Sequence, residues 1–138
     1  MASGRLARQR FRALSDTEER LATEIVDSAF RVHETLGTGL LEKIYETCFC
    51  HELTKRDIRY ERQAALPVIY DDMTFDEGLR IDVLVADSVV CELQAADKEN
   101  PVWEAQLLSY MRLSGKRLGF LINFNVPIIK HGIKRRII

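Results

Sequence analysis

The stretch "RIDVLVADSVVCELQ", residues 80–94, sets Asp82, Glu92 and Gln94 among apolar neighbours. Its two halves are rich in Val, Ile and Leu and flank the turn residues Asp87-Ser88. It therefore reads as two short strands, Leu79–Val85 and Val89–Gln94. Alternate residues of a strand share a face. Glu92 and Gln94 point one way, and Cys91 and Leu93 the other. On the preceding strand Arg80, Asp82 and Leu84 share a face. The turn decides whether the carboxylates meet. A two-residue loop, Asp87-Ser88, sets Asp82 opposite Leu93 and turns Glu92 away. A three-residue loop, Ala86-Asp87-Ser88, or a bulge sets Asp82 opposite Glu92. Two carboxylates side by side in a half-buried sheet repel each other and are costly to desolvate. A divalent cation offsets that cost, and Mg²⁺ suits a few carboxylates, carbonyls and water. The same residues also fit a plain strand-end Asp and a solvent-facing Glu.

Around this hairpin the chain has the dimensions of one domain, 138 residues. An apolar fraction of 46% supports a core, and 30% charged residues suit a soluble surface. The net charge of -1 excludes a strongly basic nucleic-acid binder overall. Positive charge gathers at the ends instead. Arg5, Arg8, Arg10 and Arg12 precede the first acid, and Lys130, His131, Lys134, Arg135 and Arg136 crowd the C-terminus. Such ends attract phosphate or stand as solvated tails; the first is read as a disordered tail, residues 1–14. The odd count of three cysteines, without paired spacing, argues against a disulfide framework and for a reducing cytoplasm. No apolar run is long enough to span a membrane.

The other elements follow from period and punctuation. Ser15 with Glu18 forms a capping box, and Leu21, Ile25, Ala29, Val32 and Leu36 recur at helical spacing until Gly37. After the turn "GTG" (37–39), a second helix runs from about Leu40 to Lys55. Ile58–Arg62 and Leu66–Tyr70 read as strands. Asn100 caps a third helix with Pro101 in its first turn, ending at Gly115. "LGFLINF" (118–124) is apolar throughout, as in a strand covered on both faces. "IKRRII" closes the chain as an edge strand. The order ααββββαββ predicts an α/β sandwich around a mixed sheet, with residues 15–138 as one domain.

"GLLEKIY" (39–45), read G-x-x-E-x-x-Y, is followed by "LPVIYDD", "RIDVLV", "VVCELQA", "EAQLLSYMRLSGKRLGFLINF" and "GIKR". This series resembles the GxxExxY proteins of the PD-(D/E)XK nuclease superfamily over residues 18–137. The resemblance implies a restriction-endonuclease-like αβββαβ core, a mixed central sheet flanked by helices. It matches Asp82 to the metal-binding Asp, Glu92 to the Glu of E-x-K, and Glu42 to an acid of the first core helix that helps hold metal. Gln106 and Tyr110 match a Q-x-x-x-Y helix motif and would orient water or contact phosphate; Tyr110 equally suits core packing. Gln94 departs from the pattern, which has Lys there. Glutamine holds water by hydrogen bonds but carries no charge. Lys98, four residues on, is a candidate to reach the site from the next loop, and Lys116 and Arg117 to grip the nucleic-acid backbone.

Three other patterns are set aside. "CFCH" (Cys48, Cys50, His51) lacks a partner pair at zinc-finger spacing, and its cysteines suit a core. "GTG" lacks the Lys-Ser/Thr of a P-loop. His33 suits the end of its helix, as Glu42 suits the start of its own. The implied function is a Mg²⁺- or Mn²⁺-dependent nuclease-fold protein acting on DNA phosphodiesters, weakened where Gln94 replaces Lys. The alternatives are an inactive nucleic-acid- or protein-binding module on the same fold and a purely structural partner protein. A homodimer is one possible assembly.

Overall fold

The computed structural model describes residues 12–138. Most of the expected N-terminal tail, with Arg5, Arg8 and Arg10, lies outside the described residues. Helix α1 (Asp16–Leu36) begins at the capping box: Ser15 Oγ accepts from the Glu18 N–H at 3.0 Å, and Glu18 Oε1 accepts from the Ser15 N–H at 2.8 Å. It ends at Gly37, whose φ of 66° a side chain would resist. Helix α2 (Glu42–Lys55) follows the short turn. Strands β1 (Tyr60–Ala65), β2 (Val68–Tyr70), β3 (Met73–Phe75), β4 (Arg80–Val85) and β5 (Val89–Gln94) come next. Helix α3 (Pro101–Ser114), β6 (Leu118–Asn123), a 3-10 turn (Ile129–Gly132) and β7 (Ile133–Ile137) complete the chain. Asn100 Oδ1 caps α3 by accepting from the Val102 N–H at 3.0 Å, and left-handed Gly115 ends it.

The main sheet has five strands in the order β1-β4-β5-β6-β7. Only β5 and β6 run parallel, because α3 makes the crossover between them. Helices α1 and α2 cover one face. There Ile25, Ala29, Tyr45, Phe49 and Leu53 pack on Val83, Val85, Cys91, Leu93, Phe120 and Ile122. Helix α3 covers the other, with Leu107, Tyr110 and Met111 on Val90 and Leu121. Interior strand β6 is buried along its whole length, as its unbroken apolar sequence predicts. Cys50 and Cys91 are buried, and Cys48 packs at the edge of the larger core, so the "CFCH" cysteines act as small hydrophobes.

Two features depart from the sequence reading. The segment expected as one strand, Leu66–Tyr70, forms β2 and pairs with an unanticipated β3 across Asp71-Asp72. This hairpin is a separate two-stranded sheet with Ile69, Tyr70, Met73 and Phe75 exposed. The second departure lies inside β1. Arg62 pairs with Val83 and Ala64 with Ile81, but the ladder skips Gln63 and Asp82 between them. Gln63 takes a φ of 50°, a left-handed conformation that costs a non-glycine residue about 1 kcal/mol or more. Beyond this break the faces exchange: Val83 and Val85 belong to the α1/α2 core, whereas Ile81 and Ala64 join the α3 core.

Candidate active site

The register of β4 and β5 answers the question posed by their turn. Val85 pairs with Val89, Leu84 with Val90 and Val83 with Cys91, leaving a three-residue loop, Ala86–Ser88. Ala86 and Asp87 both take left-handed φ (50° and 51°), and the Ser88 N–H donates to the Val85 carbonyl at 2.9 Å. The next pair in this register is Asp82 opposite Glu92. At that step the backbone ladder gives way to side chains. The Asp82 N–H donates to Glu92 Oε2 at 2.8 Å, and the Leu93 N–H donates to Asp82 Oδ2 at 2.9 Å. Each carboxylate is thus anchored by the opposite strand.

Helix α2 brings two further acids. Glu42 opens its first turn, and Glu46, one turn on, is buried. Arg62 clamps Glu46 Oε2 through Nε (3.1 Å) and Nη2 (2.9 Å). Gln63 Nε2 donates to Glu46 Oε1 at 2.9 Å and reaches Asp82 Oδ1 at 3.5 Å. The strained residue of β1 therefore ties the helix acid to the strand acid. Neither Glu46 nor Gln63 stands out in the sequence. Glu46 follows Glu42 by one helical turn, which is its one legible signal; nothing marks Gln63.

Burial first, and crowding of like charges second, raise the proton affinity of the group. Glu92 is pushed up to about 8, first by burial and then by the charge of Asp82, against the opposing Asp82 N–H bond. Burial also raises Asp82, while the bond from Leu93 holds it down. Glu42, although exposed overall, is raised by partial desolvation and by the charges of Asp82 and Glu46. Arg62, held by Glu46, is the cation that answers this cluster.

The other expected site residues divide by position. Gln94 shares the Glu92 face and is half-buried; its carbonyl accepts from the Phe124 N–H at 2.9 Å. Its side-chain amide has no protein partner among the described residues. Lys98 is exposed in the loop that follows. Gln106 Nε2 donates to the hydroxyl of buried Tyr110 at 2.6 Å, so the helix motif forms an internal pair on α3. Lys116 and Arg117 are not brought to the site. Parallel pairing sets Leu118 beside Val89, at the opposite end of β5 from Glu92. There Lys116 pairs with Asp87 at 3.4 Å, and Arg117 donates to the carbonyls of Ala13 (3.1 Å) and Arg12. The C-terminal charges are also engaged: Lys134 with Glu99, Arg135 with Glu19 and Arg136 with Glu104.

The G-x-x-E-x-x-Y segment acts as a brace beside the acids. The Tyr45 hydroxyl donates to the Gly37 carbonyl at 2.7 Å and accepts from the Leu40 N–H at 3.2 Å. Its ring stacks on Phe124, with centroids 4.8 Å apart. The Gly39 N–H donates to Asn125 Oδ1 at 2.9 Å. Buried Asn123 bonds Ala96 both ways, fixing the chain just beyond Gln94. His33 has a structural task, its Nε2–H donating to the Val126 carbonyl at 2.7 Å.

Among the described residues, no three His, Cys, Asp or Glu side chains converge as a ready metal cage. The expected set of Glu42, Asp82 and Glu92 is therefore not preassembled; two of its members are turned onto backbone N–H groups. Its chemistry nevertheless fits a hard divalent cation. All donors are carboxylate oxygens, they repel one another, and Glu92 is buried away from the water that would screen it.

A mixed five-stranded sheet flanked by helices on both faces is consistent with a restriction-endonuclease-like fold. The sequence model of the PD-(D/E)XK nuclease superfamily matches residues 19–136, nearly the whole chain, and the protein belongs to that superfamily. No curated protein and no solved structure matched the chain. No helix among the described residues is long and apolar enough to cross a membrane.

Proposed function

We propose that the protein is a divalent-metal-dependent phosphodiesterase acting on nucleic acid, most naturally DNA, with catalysis attenuated at Gln94. The observation that carries this reading is the Asp82–Glu92 pair. Two acids face each other across a buried hairpin, locked by reciprocal backbone bonds, at an energetic disadvantage that a cation would relieve. Asp82, Glu92 and Glu42 would hold Mg²⁺ or Mn²⁺, and the chemistry such an ion supplies is Lewis acidity toward water and phosphate. The residues of the chain do the rest. Arg62 and Gln63 fix Glu46 and limit how far Asp82 can swing. Gln94, on the Glu92 face, holds a water by its amide without lending it charge. Lys98 lies in the adjoining loop, where its ammonium can meet the phosphate.

A non-catalytic nucleic-acid-binding module is the second reading, favoured by the neutral Gln94 and by carboxylates that, among the described residues, form no ready cage. The deciding experiment incubates the protein with single- and double-stranded DNA and RNA in Mg²⁺ or Mn²⁺, beside Asp82→Ala. Metal-dependent cleavage lost in Asp82→Ala supports the phosphodiesterase. Binding without cleavage, unchanged by metal and by Asp82→Ala, replaces it with the module.

A further inference from the structure

Helix α3 docks unevenly. Its buried residues, Leu107, Tyr110 and Met111, lie in its middle and C-terminal turns. That part sits down on Gly119 of β6, where an added Cβ would come within 2.5 Å of Met111 Sδ. The first turn, Pro101–Glu104, contributes no buried residue. Between it and the sheet lies a cavity of about 340 Å³, walled by Trp103 and Glu104 and floored by Leu121 and Asn123, with Lys134 and Gly132 on the far side. Its volume is within the range that holds a small organic ligand.

The place of this cavity relative to the acids is set by strand register. Glu92 pairs with Leu121 and Gln94 with Asn123 in parallel alignment, so each pair points to the same face of the sheet. Neighbouring strands stand about 4.8 Å apart. The floor of the cavity is therefore one strand away from the row that carries Glu92 and Gln94. A phosphate held at that row would leave the base of the adjoining nucleotide within reach of the cavity.

The lining has the character of a base pocket. Trp103 supplies an aromatic plane, and stacking on such a ring is tolerant of base identity. Asn100 uses its Oδ1 to cap the helix, and its amide Nδ2 has no protein partner among the described residues. Among the described residues Lys134 pairs with Glu99 at 3.3 Å, a pair weak enough to exchange for a phosphate. Glu104 is paired with Arg136, and Glu99, which also lines the cavity, is exposed enough to turn into solvent when Lys134 leaves it. The far wall is tight: a Cβ on Gly132 would collide with the Asn123 carbonyl oxygen.

Resting on the phosphodiesterase reading, we infer that the Trp103 cavity receives an unpaired nucleobase next to the phosphate at Asp82 and Glu92, making single-stranded or frayed nucleic acid the substrate class. A base in a closed duplex is stacked and must be extruded first, at a cost of a few kcal/mol.

Trp103 is the one tryptophan of the chain, so its fluorescence reports on this cavity alone. The probe is a labelled oligothymidylate, titrated in EDTA against a sealed-end DNA duplex of equal length. The single strand should quench Trp103 and bind at least ~10-fold more tightly than the duplex. By anisotropy, Trp103→Ala should weaken single-strand binding ~5- to 150-fold, the range for losing one stacked base. Trp103→Phe should keep most of the affinity, and an unchanged melting temperature for Trp103→Phe guards against misfolding. Equal binding of both probes, or a Trp103→Phe protein that folds but binds as weakly as Trp103→Ala, overturns the inference. Working without metal separates the two readings. Quenching by single strands with no cleavage under any metal condition keeps the pocket and removes the catalysis. Cleavage of sealed duplex at the single-strand rate, indifferent to Trp103→Ala, keeps the catalysis and removes the pocket.

Discussion

The two ends of the β4–β5 hairpin are built from the same strands and obey different rules. At the turn end, Val85 and Val89 pair regularly, both are fully buried, and the nearby Lys116 and Asp87 form an ordinary surface ion pair. At the other end, the ladder stops at Asp82, a neighbouring residue in β1 takes a left-handed φ, and carboxylates replace carbonyls as the hydrogen-bond acceptors. The turn end confines its left-handed residues, Ala86 and Asp87, to the loop. The other end places a left-handed residue inside a strand and adds buried charge and like-charge repulsion, the combination that marks a candidate functional site.

The largest effect expected from this contrast is on chemistry. Asp82→Ala should lower Mg²⁺-dependent cleavage by ~10³-fold or more, since both the charge and the Leu93 anchor go together. A residual rate near that of the unaltered protein would show that the broken end of the hairpin is not the reacting end.

Next comes a gain. Gln94→Lys should raise cleavage of DNA in Mg²⁺ by ~10²-fold, the scale of one preorganised charged group in a transition state. Adding Asp82→Ala should abolish the gain. If the unaltered protein already cleaves efficiently and lysine adds nothing, glutamine is a working catalytic residue at this position.

The third effect is on stability and has a defined sign. Glu92 has a folded-state pKa of about 8 against 4.5 for the free side chain. Between those values the folded state binds the proton more tightly, so its contribution to stability is full below pH 4.5 and is lost as pH rises toward 8. The slope is limited to ~1.4 kcal/mol per pH unit for one group. Glu92→Gln keeps an acceptor for the Asp82 N–H and removes the charge. In EDTA it should therefore melt higher than the unaltered protein at pH 8 and show little difference at pH 4.5. Equal melting curves at both values would place Glu92 in water.

A smaller loss is expected at the brace. Tyr45→Phe removes the hydroxyl that bridges Gly37 and Leu40, and should destabilise the protein by ~1 kcal/mol in urea unfolding. Smallest of all is Lys116→Ala at the turn end. Losing an exposed pair should change stability by less than ~1 kcal/mol and leave single-strand affinity unchanged. A fall in nucleic-acid affinity would mean that the binding surface extends along the sheet to the turn end.

Period and punctuation in the chain were enough to locate the three helices, the central apolar strand and the β4–β5 hairpin. Those signals are local: the capping box at Ser15, Asn100 before Pro101, and the unbroken apolar run at 118–124 depend only on residues within a few positions of each other. Asp82 and Glu92 were also legible, because charge in an apolar strand is conspicuous wherever the strand lies; Glu42, in a helix's first turn, was picked out by the family resemblance. Whether Asp82 and Glu92 meet was not legible, since two- and three-residue turns fit the same letters and a one-residue slip reverses every side chain. Left-handed Ala86 and Asp87 decide it; Asp adopts that conformation readily, but nothing about Ala86 announces it. The same holds for Gln63, whose side chain meets Glu46 and Asp82 from two other elements, and for β3, which exists through its pairing with β2. Lys116 and Arg117 looked available as a basic pair; parallel pairing of β5 with β6 sends them to the far end of the sheet. Sequence alone determined which groups are apolar, charged or turn-forming. Which of them share a face, an end or a cavity was decided by register and crossover, because those are set by contacts between residues far apart along the chain.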